Sequence, residues 1–96
     1  MKRKKIPYGT KLPIKFSMRE RDLIRKHTFY DSDFAQLAVV KGDGIQVDLT
    51  LDDIEEIQGY VAAEANHCDN RKLERELDVV FDKLQFILDS FTDQDD

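Results

Sequence analysis

Two stretches of this chain change from strand-like to helix-like apolar spacing at a hydroxyl residue, and this repeated change constrains the fold most strongly. In residues 44–57, "GIQVDLTLDDIEEI", apolar side chains occupy every second position before Thr50 and every third position after it. In residues 13–24, "PIKFSMRERDLI", a similar change occurs at Ser17. Alternation indicates a half-buried strand, and a spacing of three to four indicates an amphipathic helix. Each stretch therefore predicts a strand that leads directly into a helix.

Both joints also have a residue pair that can cap the start of a helix. Ser17 is followed three positions later by Glu20, and Thr50 is followed three positions later by Asp53. In a capping box, the hydroxyl and the carboxylate each accept a hydrogen bond from the backbone N–H group of the other residue. These pairs predict helices over residues 18–28 and 51–66. Pro13 cannot donate a ladder hydrogen bond, so the first strand should lie at a sheet edge or begin at that residue.

The remaining elements follow from turn and cap signals. A short helix is predicted from Phe34 to about Val40, and a glycine-containing turn at residues 41–44 separates it from the second strand. A final helix is predicted over residues 71–91, and the short polar link before it favours an antiparallel pair with the preceding helix. Its apolar seam repeats at spacings of four and three: Leu73, Leu77, Val80, Leu84, Ile87 and Phe91.

The predicted fold class is α+β and predominantly helical. It combines a small two-stranded β ribbon, two short N-terminal helices and a C-terminal antiparallel helical hairpin. A chain of 96 residues forms one domain, which we place at residues 12–91. Residues 1–11 are predicted to be a flexible basic N-terminal arm, and residues 92–96 an acidic disordered tail.

Charge is distributed unevenly along the chain. Residues 1–27 contain ten Lys or Arg against two acidic residues, whereas residues 28–96 contain five against eighteen. The two parts can neutralise each other within one molecule or across a dimer, or the basic part can contact a nucleic acid.

Cysteine content and apolar run length bear on the location of the protein. A single cysteine, Cys68, cannot form an internal disulfide, and apolar runs do not exceed four residues. No membrane-spanning helix or secretory leader is expected from this pattern. The sequence therefore predicts a protein of the reducing cytoplasm that does not enter a membrane.

Three apolar or aromatic side chains fall outside the predicted apolar stripes of the last two helices. Val79 and Phe86 lie one heptad apart, away from the seam of the last helix, and Tyr60 points away from the stripe of the helix before it. Either the N-terminal strand and helices cover Val79 and Phe86, or these side chains form a surface for a partner protein or a second copy. In the second case Tyr60, Val79 and Phe86 are the candidate partner-binding residues.

Catalytic and metal-binding chemistry has little support in the sequence. Glu64 and His67 have the spacing of a metal-binding pair on one helical face, and Cys68 follows them. Neither a second such pair nor a Cys-x-x-Cys spacing accompanies them, so the sequence predicts no metal site and no cofactor. It also predicts that the protein is not an enzyme.

One segment suggests a different function. "IQVDLTLDDIEEIQGYV", a turn and "RKLERELDVVFDKL" resemble the ribbon-helix-helix family of small bacterial repressors over residues 45–84. In that family, strands from two chains pair antiparallel and place polar side chains in the major groove of DNA. The resemblance implies that Gln46 and Asp48 read bases, for which Gln–adenine and Asp–cytosine contacts are suited. Phosphate contacts would then come from basic residues near the N-terminus: Lys2, Arg3, Lys4, Lys5, Lys15 and Arg19.

The sequence thus leaves two functions open. The first is a small cytoplasmic protein-interaction or regulatory module, which acts through an apolar patch and a polarised charge surface on another protein or on a second copy of itself. The alternative is a nucleic-acid-binding regulator that uses the ribbon-helix-helix-like segment and the basic arm.

Overall fold

The computed structural model describes residues 3–27 and 39–93 of the chain. Their elements, in chain order, are β1 (Lys4–Ile6), β2 (Leu12–Ser17), α1 (Met18–His27), β3 (Val39–Lys41), β4 (Gly44–Leu49), α2 (Leu51–Asn66), α3 (Arg71–Ser90) and β5 (Phe91–Asp93). The described residues form an α+β fold with three helices and two small sheets. The α+β class predicted from the sequence is confirmed.

Both strand-to-helix joints form as the capping pattern predicts. At the first joint, the Ser17 N–H group donates to Glu20 Oε1 at 2.8 Å, and the Glu20 N–H group donates to Ser17 Oγ at 3.0 Å. At the second joint, the corresponding distances between Thr50 and Asp53 are 3.0 and 3.1 Å. Two otherwise unpaired backbone donors are thereby satisfied at each joint, so the strand can become a helix within one residue.

The predicted two-stranded ribbon is part of a larger sheet. β2 and β4 pair antiparallel, with Ile14 opposite Val47, but β3 pairs antiparallel with the other edge of β4. The strand order is therefore β2-β4-β3. Gly42 has a φ of 60°, which allows the two-residue turn between β3 and β4.

The prediction of a helix from Phe34 to about Val40 is wrong at its C-terminal end, which is the part that the structure describes. Val39 and Val40 lie in β3, and residues 34–38 are outside the described residues. Two adjacent β-branched residues directly before a glycine turn favour a hairpin strand over the end of a helix. Within the described residues, one N-terminal helix is present instead of the two predicted.

Both ends of the described chain also meet in a sheet. β1 pairs parallel with β5, and Lys4 lies opposite Phe91. β1 lies within the segment predicted to be a flexible arm. β5 begins one residue before the segment predicted to be a disordered tail. The domain limits of 12–91 and the flexibility of these segments stay predictions, but residues 4–6 and 91–93 have a defined strand partner.

The core lies between the inner face of the three-stranded sheet and the three helices. α2 and α3 are joined by four residues and pack along each other, and Gln58 Nε2 donates to Gln85 Oε1 at 2.8 Å across them. Asn70 caps α3 by accepting from the Leu73 N–H group at 3.1 Å. The buried core comprises Ile6, Ile14, Phe16, Leu23, Ile24, Ile45, Val47, Leu49, Leu51, Ile54, Ile57, Val61, Leu77, Val80 and Leu84.

Candidate interaction surface

The two sides of α3 have opposite relations to solvent. Leu77, Val80 and Leu84 on the inner side are 0% exposed, whereas Val79 and Phe86 on the outer side are 61% and 70% exposed. The sequence left open that the N-terminal strand and helices cover these two side chains. The described elements leave both of them in solvent. Exposure of a phenylalanine to this degree leaves a large apolar area in water.

Val79 and Phe86 belong to a regular row of exposed side chains on α3. Steps of three and four residues keep positions on one side of a helix, because a turn contains 3.6 residues. We call this row the outer stripe. It consists of Lys72, Arg75, Val79, Asp82, Phe86 and Asp89, and each of these residues is exposed.

The outer stripe is bordered on one side by a groove at the first turn of α1. The groove has a volume of about 370 Å³, and its lining includes Val79, Leu23, Arg19 and Glu76. Arg19 spans α1 and α3 with two hydrogen bonds, from Nε to Glu76 Oε2 at 2.6 Å and from Nη2 to Glu76 Oε1 at 3.1 Å. Donation to Glu76 raises the pKa of the Arg19 guanidinium above its ordinary value. An ion pair of this planar geometry fixes the angle of the groove wall beside Val79.

A second ion pair fixes α3 to the first joint. Lys83 Nζ lies 2.9 Å from Glu20 Oε1, the same oxygen that caps the Ser17 N–H group. The ammonium also lies 5.3 Å from the centroid of the Phe16 ring, within the range of a cation–π contact. α3 is therefore held by polar contacts on one flank and by the core beneath it, which keeps the outer stripe in a defined orientation.

Tyr60, the third candidate partner-binding residue, lies on α2 rather than on α3. Its side chain is half-buried, and it makes an interaction within the chain. Val79 and Phe86 therefore form the better-defined surface, and a contribution of Tyr60 to partner binding stays a prediction.

The candidate nucleic-acid-binding residues are spread over several elements. Arg3 Nη2 lies 3.6 Å from Asp89 Oδ1, and Arg19 is paired with Glu76 as described above. Lys4 and Lys5 are exposed on β1, and Lys2 lies outside the described residues. The pairs of Arg3 and Arg19 with acidic residues of α3 show that part of the charge asymmetry is neutralised within the molecule.

Lys15 and Gln46 are the two nucleic-acid candidates that the structure brings together. They lie opposite each other on β2 and β4, on the face of the sheet turned away from the core. Both also border a groove of about 480 Å³ whose apolar lining includes Ile14, Ile87 and Phe91.

The strand that resembles a ribbon-helix-helix strand is the central strand of its sheet. β4 is hydrogen-bonded to β2 on one edge and to β3 on the other. A strand can form a ribbon with a second chain only through a free edge. Residues 44–46 are therefore paired on both edges, and residues 47–49 are paired with β2 on one edge. The intermolecular pairing that the resemblance implies would have to displace β2 or β3 from the strand.

Several exposed residues were missed by the sequence reasoning. The charged members of the outer stripe, Arg75, Asp82 and Asp89, are detectable from the spacing of three and four if positions opposite the apolar seam are also compared. Val39 and Val40, which are 57% and 65% exposed, were hidden because the sequence assigned them to a helix.

The residues considered for metal or thiol chemistry are not grouped into such a site. In residues 3–27 and 39–93, no cluster of three or more His, Cys, Asp or Glu side chains could hold a metal ion. Cys68 Sγ lies 3.3 Å from the Asn70 carbonyl oxygen, to which it donates. The thiol acts here as a weak donor.

Comparison with known families, with curated proteins and with solved structures gives no match to this chain. In the part of the chain that the structure describes, no helix is long and apolar enough to cross a membrane.

Proposed function

We propose that this chain is a small cytoplasmic protein-interaction module that binds its partner through the outer stripe of α3. The role is binding rather than catalysis. The observation that carries the proposal is the exposure of Val79 and Phe86 on a helix whose opposite side is fully buried. Aromatic residues that project from a rigid helix are typical anchors of protein interfaces, because they bury a large area with little loss of side-chain freedom.

Charge and rigidity also support this proposal. Charged positions of the outer stripe precede Val79, follow Phe86 and, at Asp82, separate the two. The surface thus combines apolar anchors with polar positions, as protein interfaces do. The ion pairs Arg19–Glu76 and Lys83–Glu20 hold α3 from one side. A partner would therefore meet a surface that is already in its binding conformation, which lowers the entropy cost of association.

The test compares Phe86→Gln with Val39→Gln in the full chain. Glutamine is a good helix former, so we expect Phe86→Gln to retain the helical circular dichroism and to change the free energy of unfolding by no more than about 0.5 kcal/mol. Each variant and the unmodified chain are then affinity-purified from the cells that produce the protein. At least one protein that co-purifies with the unmodified chain, or a second copy of the chain, should be absent from the Phe86→Gln preparation. Val39→Gln, which removes an exposed apolar side chain on β3, should retain it.

Two results would overturn this proposal. An identical set of co-purifying proteins for both variants would show that the outer stripe does not bind a partner. A fall in stability of more than about 2 kcal/mol for Phe86→Gln would show that Phe86 is part of the packed core.

A second candidate function, nucleic-acid binding, is favoured only by the adjacent Lys15 and Gln46. Binding to duplex DNA through phosphate contacts should weaken steeply as salt rises, with a slope that decreases in Lys15→Gln. Absence of binding at low salt would remove this candidate.

A further inference from the structure

We infer that the partner of the outer stripe is a second copy of this chain, with the two α3 helices packed antiparallel. This inference rests on the proposed function and specifies the partner. It comes from the order of charges along the outer stripe. The two basic residues, Lys72 and Arg75, precede Val79, whereas Asp82 and Asp89 lie between and beyond the apolar residues.

An antiparallel arrangement makes this order complementary to itself. Suppose that Val79 is level with Phe86 of the second copy. A residue that lies a given number of positions before Val79 is then level with the residue the same number of positions after Phe86 in the second copy. Arg75 then lies level with Asp89 of the second copy to within about one residue's rise of ~1.5 Å. The twofold axis produces each contact twice, so two apolar pairs and two ion pairs form across one interface.

The same charges are unfavourable within a single helix. The N-terminal end of a helix favours acidic side chains and the C-terminal end favours basic ones. The outer stripe has the reverse order, with Lys72 in the first turn of α3 and Asp89 in the last. Within the chain, Asp89 Oδ1 accepts a hydrogen bond from Gln85 Nε2 at 2.9 Å and lies 3.6 Å from Arg3 Nη2. Arg3 and Asp89 both have side chains that are more than half exposed, and exposed ion pairs at such a distance contribute little to stability. A second copy gives the reversed charges partners of opposite sign.

One contact in this arrangement is repulsive. The twofold axis passes close to Asp82, so Asp82 of one copy lies beside Asp82 of the other. Asp82→Asn should therefore tighten self-association, by about threefold for a partly screened pair of like charges. Because a single pair of helices gives a small interface, we expect a dissociation constant in the range of about 10 to 100 μM.

Analytical ultracentrifugation of the full chain, from about 1 μM to about 1 mM, tests the arrangement with charge reversals. Arg75→Glu or Asp89→Lys alone places like charges at both ends of the interface, so each variant should remain monomeric. An equimolar mixture of the two restores opposite charges in every pair and should form heterodimers. The control Glu74→Lys reverses an exposed charge on the flank of α3 and should dimerise as the unmodified chain does.

Cross-linking tests the position of the axis. In a Cys68→Ser background, Asp82→Cys should form an intermolecular disulfide on mild oxidation, because residues on the axis come within disulfide distance. Glu74→Cys should not.

Three results would overturn the inference. These are a monomer at all concentrations, a dimer unaffected by Arg75→Glu, and a failure of the Arg75→Glu and Asp89→Lys variants to associate when mixed. If the chain is monomeric while Phe86→Gln still loses a co-purifying protein of another kind, the proposed function stands and the homodimer does not. If Phe86→Gln loses nothing, both fail.

Discussion

The two strand-to-helix joints use the same capping pattern but are attached to the rest of the molecule in different ways. At the first joint, Glu20 Oε1 accepts from the Ser17 N–H group and also from Lys83 Nζ of α3. At the second joint, Asp53 Oδ2 accepts from the Thr50 N–H group, and among the described residues no ion pair to another helix accompanies it. A local signal can thus start a helix alone, or start it and also fix it to a distant element.

The joints also differ in the residue that faces them across the sheet. Ser17 lies opposite Gly44 in the β2–β4 ladder. A side-chain carbon on Gly44 would overlap the carbonyl oxygen of Phe16, so the two backbones can approach this closely only because residue 44 is glycine. At the other end of the ladder, Leu12 lies opposite Leu49, and both have large side chains. The first joint is therefore the more sterically constrained of the two.

Among variants that compare the two joints, Gly44→Ala is expected to change the free energy of unfolding most. The added methyl group would overlap backbone that cannot rotate away, so the free energy of unfolding should fall by about 3 kcal/mol. Chemical denaturation measures it. Gly59→Ala is the matched control, because nothing lies within 4 Å of the added carbon in α2, and it should raise stability by about 0.5 to 1 kcal/mol. Similar changes in the two variants would show that the first joint is not constrained as described.

An intermediate effect is expected from removal of the capping carboxylates. Asp53→Ala should lower stability by about 1 kcal/mol through loss of the cap. Glu20→Ala should cost roughly 0.5 to 1 kcal/mol more, because it also leaves Lys83 without its partner.

A double-mutant cycle separates the two roles of Glu20. In a Lys83→Met background, Glu20→Ala and Asp53→Ala should become similar in their effect on the free energy of unfolding. A Glu20 effect that does not change in this background would mean that the ion pair contributes nothing and that the two joints are equivalent.

The smallest effect concerns the exposed contact beside the second joint. Tyr8 Oη donates to Asp52 Oδ2 at 2.8 Å, and this hydrogen bond, with the negative charge of Asp52, raises the pKa of Tyr8 above its ordinary value of 10.0. Since the folded-state pKa is the higher one, the contact stabilises the fold below pH 10 and is lost as pH rises through the raised pKa.

An NMR titration of the Tyr8 ring measures this pKa directly. Asp52→Asn should return it towards 10.0 while leaving the Thr50–Asp53 cap intact. An unchanged pKa in Asp52→Asn would show that Tyr8 does not reach the second joint in solution.

Sequence reasoning was reliable where the structure depends on neighbours along the chain. The start of α2 and both capping boxes follow from hydroxyl and carboxylate residues three positions apart. It failed where partners are far apart in sequence. Lys4 and Phe91 contain no local signal that they pair. β3 is a different case, because its adjacent valines and the glycine turn are local signals for a hairpin that the predicted helix overrode.

The candidate surface was partly predictable for the same reason. The heptad spacing of Val79 and Phe86 indicates a shared side of α3, and this is a local property. Whether that side is exposed depends on where β2 and α1 pack, and the spacing alone left both outcomes open. Likewise, the resemblance to a ribbon-helix-helix segment covers β4 and two helices, but it gives no sign that β2 pairs along one edge of the strand and β3 with the first part of the other.

The parallel pairing of β1 with β5 has a consequence for the order in which the molecule assembles. The two strands come from opposite ends of the described chain, so the loop they close spans nearly all of it. Its entropy cost can be offset only after the intervening elements have brought the ends together. We therefore expect β1 to dock last, after the other elements have packed, and to exchange its amide hydrogens sooner than β4.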